Sequence, residues 1–229
     1  MNFLSTDKLL EKYYNTYTHD KFDMYYNLLV EFNNRFNLTT IISKNEVKNK
    51  HFADSLYGVD LIKGGNVLDI GAGAGFPSIP LAIVNSDKQF TLVETANKKA
   101  EFLKLVVKEL ELKNVKIIKN RIEQLDKNTK YDTIVARALA PLNTLLEYSL
   151  PYLKIGGILL AYKGSNYLDE LNESKNALKV LGASVNDVLK YNLQHGDELI
   201  VRYFLIVEKL LETDLKYPRS GNKPRLKPL

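Results

Sequence analysis

The residues best placed to do chemistry lie between Asp69 and Glu94. Asp69 is followed by three alternating glycines, Gly71, Gly73 and Gly75, and then by Phe76 and Pro77. A backbone that comes close to a ligand must shed its Cβ atoms and take up positive φ, which glycine does freely. Glu94 closes the next apolar run, Gln89 to Val93. At about 20 residues past the glycines, a carboxylate can accept both hydroxyls of a ribose. The chemistry these residues support is the binding of a nucleoside. The dinucleotide fingerprint is not met, because the third glycine comes one residue early. A glycine-rich turn without a ligand would account for the glycines and leave the acid unexplained.

Such a loop has to be carried by a buried strand that turns into a helix. Val67 to Ile70 is a short apolar run of the kind a parallel sheet buries, and an apolar segment resumes at Ile79. The pattern D-x-G-x-G-x-G with a delayed acid resembles the S-adenosylmethionine site of Rossmann-like methyltransferases. The rest of the chain alternates as an α/β fold requires. Ala100, Leu103, Val107 and Leu110 stripe a helix, Val115 to Ile118 and Thr133 to Ala136 read as strands, and Pro141 suits a first helical turn. Ile158 to Ala161 is a further strand after Gly156-Gly157, and Leu168 to Leu181 is a helix stopped by Gly182. Ser184 to Leu193 and Glu198 to Glu208, joined through Gly196 and Asp197, form a closing antiparallel hairpin.

The expected fold is α/β: a mostly parallel seven-stranded sheet of the Rossmann-like class I methyltransferase type, with a helical extension before it. The divisions fall at residues 1–60 for the extension, 61–210 for the sheet domain and 211–229 for a C-terminal arm. In the extension, Phe22, Tyr25, Leu29, Phe32 and Phe36 recur at helical spacing and give an aromatic face. Ser43 and Glu46 make a capping box for a helix that carries Val47, His51, Asp54 and Ser55 and stops at Gly58. His51 and Asp54 share a face of it, a position that suits a packed histidine as well as a substrate contact.

Ligands of open α/β sheets sit beyond the carboxyl ends of the strands. That places Gly71 to Phe76, Glu94 to Ala96, Asn120 to Glu123, Arg137 and Lys163 at the site. Glu123 follows the third strand, as a contact for an adenine edge or as a plain helix-start acid. Arg137 ends the fourth strand, where it either meets a ligand or pairs with a structural acid.

Composition narrows the classes. With 229 residues, 45% of them hydrophobic, the chain can bury one α/β core and a small extension. It has no cysteine, which excludes disulfides, thiolate metal sites, a cysteine nucleophile and a cysteine-bound iron–sulfur cluster; no metal is expected. No run nears the roughly 18 apolar residues of a membrane span, and Asp7 and Glu11 do not suit a signal peptide; a cytoplasmic, monomeric protein is expected. The net charge of +5 lies wholly in Leu215 to Leu229, which holds Lys216, Arg219, Lys223, Arg225 and Lys227 and no acid. With Pro218, Pro224 and Pro228 the tail reads as an extended arm, contacting phosphates or merely solubilising.

Several separated stretches then agree. Tyr25 to Thr39, the His51-Phe52-Ala53-Asp54-Ser55-Leu56 run, the Gly71 to Pro80 loop, Ala136-Arg137-Ala138 and Lys216 to Gly221 resemble the bacterial family of small-subunit ribosomal RNA guanine-N7 methyltransferases (RsmG or GidB). The resemblance spans residues 20 to 229. It implies S-adenosylmethionine as cofactor, held by Gly71, Phe76, Ile122, Glu123 and Arg137, and a guanine of the small-subunit (16S) RNA or ribosomal particle as target. Ser78 departs from it, standing where the family has glycine, as do Thr95 and Ala96 after Glu94.

Guanine nitrogen 7 carries an exposed lone pair, so methylating it needs no general base, and catalysis reduces to alignment and exclusion of water. The place after the fourth strand holds Ala-Arg-Ala rather than the Asn/Asp-Pro-Pro-aromatic loop of amine methylation. Arg137, Arg121 and Lys163 are accordingly positioning residues. Arg137 grips the cofactor carboxylate, a phosphate or guanine oxygen 6. In A-form RNA nitrogen 7 is out of reach, so the guanine must be unpaired. His51, Arg121, Lys163, Lys216, Arg219, Lys223 and Arg225 are the expected RNA contacts, and loss of Leu215 to Leu229 should weaken RNA binding while sparing the cofactor. The rival readings are a methyltransferase acting on a small molecule or protein, and a nucleotide-binding module without catalysis.

Overall fold

A computed structural model describes residues 3–14 and 16–229. Five strands lie parallel: β1 (Asn66–Ile70), β2 (Gln89–Glu94), β3 (Val115–Lys119), β4 (Tyr131–Arg137) and β5 (Leu153–Lys163). The hairpin of β6 (Ala183–His195) and β7 (Glu198–Lys209) closes the sheet antiparallel, with β7 against β5. The order is β3-β2-β1-β4-β5-β7-β6. The chain builds outward from β1 in one direction, then crosses to β4 and builds in the other. A crevice opens beyond the strand ends at that reversal, which is where such sheets hold ligands.

The apolar run predicted around Val67 is buried on both faces because helices cover both. One face carries α5 (Ser78–Val84) and α6 (Asn97–Glu109), and the other carries α7 (Leu142–Ser149), α8 (Tyr167–Glu173) and α9 (Lys175–Leu181). The single helix expected over 168–181 is two. Ser174 sends its hydroxyl back to the Glu170 carbonyl at 2.6 Å, competing with the helical ladder at the break. Gly182 stops the second at φ 74°.

The N-terminal helices α1 (Thr6–Tyr13) and α2 (Thr16–Asn33) are not a separate layer. Leu9, Leu10, Phe22, Tyr25 and Leu29 belong to the same core as Val67, Leu92 and Phe102. The Tyr25 hydroxyl donates to the Ala74 carbonyl at 2.5 Å, so the extension buttresses the glycine loop from behind. α2 ends before Phe36, which packs against Phe32 from the turn that follows.

The next helix starts at Ser43 as the spacing predicts, with the Glu46 amide donating to Ser43 Oγ at 3.4 Å. It runs through α3 (Lys44–Glu46), a π-helical stretch at Val47–Ala53 and α4 (Asp54–Leu56). Gly58 has φ −82°, so it is no left-handed cap. A Cβ there would lie 2.1 Å from the Tyr162 hydroxyl, so close approach is the reason for glycine. No helix among the described residues is long and apolar enough to cross a membrane.

The tail is not an extended arm. Tyr217 and Pro218 are buried against α7, and α10 (Lys223–Leu226) packs on the same helix, with Thr144 Oγ1 donating to the Pro224 carbonyl at 3.1 Å. Arg219 explains the docking. It forks onto Glu147, a fully buried acid of α7, with Nε to Oε1 at 2.8 Å and Nη2 to Oε2 at 2.6 Å.

Candidate active site

Two clefts meet at the reversal point. The first has a volume of about 390 Å³ and is walled by Gly71, Gly73, Glu94, Ile122, Glu123 and Leu139 among others. Gly71, Gly73 and Gly75 all have positive φ, at 71°, 59° and 99°. The nearest atom to a Cβ at Gly73 would be Gly71 O at 3.9 Å, so its positive φ, rather than crowding by protein atoms, is what calls for glycine there. Glu94 is fixed in place: Oε2 accepts from the Gly73 amide and Oε1 from the Ala96 amide, both at 2.8 Å. The Thr95 hydroxyl reaches Oε1 as well, at 3.4 Å, and with about four acceptor sites the carboxylate keeps capacity to accept from a ribose. The opposite wall carries Glu123, with Arg121 3.6 Å away. The cleft's size and its fixed acceptor fit S-adenosylmethionine.

Beneath the loop lies Asp69, fully buried and close to Ser78. Among the described residues, no hydrogen bond of ordinary geometry reaches either of its oxygens or the Ser78 hydroxyl. Burial pushes the Asp69 carboxyl up to about 7, with Ser78 and the Arg137 charge pulling it the other way. Ser78, where the family resemblance leads one to expect glycine, is accommodated at the start of α5 without entering the cleft lining.

The second cleft, about 660 Å³, shares Ala138 and Leu139 with the first. Ala138 holds φ 54°, a conformation that costs a non-glycine residue energy and that collects at functional sites. Beside it, Arg137 donates to Asp54 Oδ2 at 2.7 Å through Nη1 and meets His51 Nδ1 at 3.1 Å through Nη2, its guanidinium lying 5.2 Å from the Phe76 ring centre. Asp54 is itself held by the Tyr191 hydroxyl, from β6, at 2.7 Å. A guanidinium only donates, so the Arg137 contact calls for an accepting Nδ1 and a proton on Nε2, which faces Thr39 Oγ1 at 3.0 Å; the Lys50 carbonyl, 3.2 Å from Nδ1, favours the opposite tautomer. Burial, then the Arg137 charge, push the His51 imidazole down to about 3, so it is neutral.

The residues singled out from the sequence fall into three groups. Gly71, Gly73, Glu94, Arg121, Ile122, Glu123 and Arg225 line the first cleft, and His51, Arg137 and Lys163 line the second. Gly75 and Phe76 stand behind the loop, where Phe76 stacks on His51 with ring centres 4.3 Å apart. Lys216 and Lys223 are exposed away from both clefts. Two expectations of free phosphate contacts need correcting. Lys163 is bonded to Glu170 at 2.5 Å and the Ala140 carbonyl at 3.0 Å, and Arg219 is spent on Glu147. Arg225, assigned to RNA on charge, instead faces the first cleft with Asn222. Tyr148, Asn222 and Glu170 were not anticipated. Only contacts made across long sequence separations bring them to the clefts, although Asp54 was marked by its spacing from His51.

A doubly wound sheet reversing at β1 and β4, with a nucleoside-sized cleft under a glycine loop, defines a Rossmann-like methyltransferase. The chain is similar in fold to M. jannaschii TYW2 in complex with AdoMet, at a TM-score of 0.57 and 17% identity over 75% of this chain and 80% of that one. It is likewise similar to a SAM-dependent O-methyltransferase from Thermotoga maritima, at 0.53 and 16% over 81% and 72%. More particularly, residues 18–200 match the family model of rRNA small subunit methyltransferase G, and the chain belongs to that family. Ribosomal RNA small subunit methyltransferase G of Streptococcus gordonii is 44% identical over 218 residues, covering 92% of this chain and 91% of the relative. The protein of the same name from Lactococcus lactis is 41% identical over 217 residues, covering 91% and 90%.

Proposed function

We propose that this protein transfers a methyl group from S-adenosylmethionine to nitrogen 7 of an unpaired guanine in small-subunit (16S) ribosomal RNA, in the cytoplasm. The observation that carries the reading is the pair of clefts sharing the Ala138–Leu139 wall, one suited to a nucleoside cofactor and the other large enough for a nucleobase. The cofactor supplies an electrophilic methyl on a sulfonium. Everything else is done by the chain. Glu94 takes the ribose, and Ile122 with Glu123 takes the adenine edge. Arg137 stands at the seam, where it meets the anionic end of the cofactor or a carbonyl oxygen of the base.

Neither His51 nor Asp54 is a free base, and the reaction asks for none. His51 is neutral, with its acceptor nitrogen committed to Arg137, and Asp54 is committed to Arg137 and Tyr191. Nitrogen 7 attacks with its own lone pair. Positive charge moves onto the purine as the methyl arrives, and a bare arginine nearby would oppose it. Asp54 at 2.7 Å offsets the Arg137 charge, so the arginine can sit at the seam without that penalty. The family relationship and the exposed cations Arg121, Lys216 and Lys223 support an RNA substrate over a small molecule.

The test is transfer of labelled methyl to small-subunit RNA and particles lacking the native modification, followed by nucleoside analysis. One 7-methylguanosine is expected. Label in any other nucleoside would overturn the proposal.

A further inference from the structure

The second cleft contains a carboxylate that the methyl transfer itself does not use. Glu170, on α8, is 13% exposed at its side chain, and Lys163 beside it 9%. Both protein donors reach the same oxygen: the Leu142 amide at 2.8 Å and the Lys163 ammonium at 2.5 Å both fall on Oε2. Lys163 is tied down in turn by the Ala140 carbonyl at 3.0 Å. Oε1 has no hydrogen-bond partner among the described residues. Two donors on one oxygen stop the carboxylate from turning, so the other oxygen is a fixed acceptor of a residue that lines the same cleft as Arg137.

We infer that Glu170 reads the Watson–Crick edge of the target guanine, its Oε1 accepting from the N1–H and the 2-amino group. This rests on the guanine-N7 reading above and adds how the base is chosen. Two bases carry a nitrogen 7, and the reaction needs nothing that adenine lacks. Only guanine puts two adjacent donors on its Watson–Crick edge; adenine presents a lone pair at N1, which a buried carboxylate repels. A fixed acceptor therefore selects against the one wrong base that could react. Nitrogen 7 lies on the opposite edge of the purine from N1 and the amine, so a base held at Glu170 turns nitrogen 7 away from it, within a cleft that Ala138 and Leu139 also line and share with the first. An edge read in this way cannot be base-paired, which agrees with a loop or incompletely folded substrate.

The test compares RNA carrying guanosine at the target position with the same RNA carrying inosine, which keeps N1–H and nitrogen 7 but lacks the amine. The wild-type protein should use the inosine RNA with about 10- to 100-fold lower kcat/KM, the worth of one hydrogen bond to a charged group. In Glu170→Gln the amide oxygen stays on Leu142 and Lys163 and the NH₂ turns to the cleft, facing guanine's donors. The guanosine-to-inosine ratio should then fall to about one or reverse, with S-adenosylhomocysteine affinity unchanged. A Glu170 that merely braces Leu142 and Lys163 would slow both RNAs alike and keep the ratio, which would overturn the inference. Should the variant fail to bind S-adenosylhomocysteine, the wild-type comparison decides alone: equal use of the two RNAs overturns it. Absence of 7-methylguanosine from the guanosine RNA would remove the guanine-N7 reading itself, and this inference with it.

Discussion

At the scale of single residues, the environment of each side chain sets what it can do more than its type does. His51 illustrates this. Held neutral against Arg137 and stacked on Phe76, it faces the charges of Arg137 and Glu46 and the Lys50 carbonyl. Its folded pKa of about 3 lies below the ordinary 6.5, so below pH 6.5 the unfolded chain binds a proton that the folded one refuses. Its contribution to stability is complete above pH 6.5 and is lost as pH falls towards 3. Between pH 6.5 and 5 that amounts to about 2 kcal/mol. Urea unfolding of the wild type and of His51→Gln at the two pH values checks it: the wild type should lose about 2 kcal/mol more across the interval, and parallel losses would show that His51 is not buried as described. Much of this chemistry was legible beforehand. The glycines, Glu94 and Arg137 stood out by type and position, because a tight turn, a strand-end acid and a strand-end cation each leave a local mark. Glu170 and Asp54 owe their roles to Lys163 and Arg137, partners far away in sequence, and the one-dimensional pattern carries no trace of Oε1 being free.

At the scale of elements, the strands and most helices follow from apolar period and punctuation. The C-terminal segment does not. Five cations and three prolines in fifteen residues suggest a solvated arm, yet Tyr217, Pro218 and Pro224 bury themselves on α7 and Arg219 neutralises Glu147. Composition counts charges and cannot see that one of them has an acid waiting 72 positions away. Removing the arginine leaves a fully buried carboxylate uncompensated. Arg219→Ala should therefore lower stability by roughly 3–5 kcal/mol, read as a shifted denaturation midpoint. A free phosphate contact would behave oppositely, weakening RNA binding and leaving the midpoint alone. The docked tail also brings Asn222 and Arg225 to the first cleft. Deleting residues 215–229 should consequently weaken S-adenosylhomocysteine binding as well as RNA binding, where the sequence suggested the cofactor would be spared. Unchanged cofactor affinity in the truncated protein would return the tail to a purely RNA-facing role.

At the scale of the whole molecule, the reversal of the sheet at β1 and β4 creates one opening, and the two halves of the chain furnish it differently. β1, β2 and β3 supply the nucleoside side with Gly71, Glu94 and Glu123, while β4, β5 and α8 supply the other with Arg137, Lys163 and Glu170. The N-terminal helices brace the glycine loop through Tyr25 and bring His51 and Asp54 to Arg137, so the extension completes the site as well as the core. Ala138 and Leu139 are where the two sides touch, and in the proposed reaction the methyl crosses there. The measurement that bears on it most directly is a crystal structure with S-adenosylhomocysteine and guanosine monophosphate bound together. The prediction is adenosine in the first cleft with its ribose on Glu94, and guanine in the second with nitrogen 7 towards Ala138 and Leu139. Guanine stacked outside the second cleft, or both molecules on one side of that wall, would contradict it.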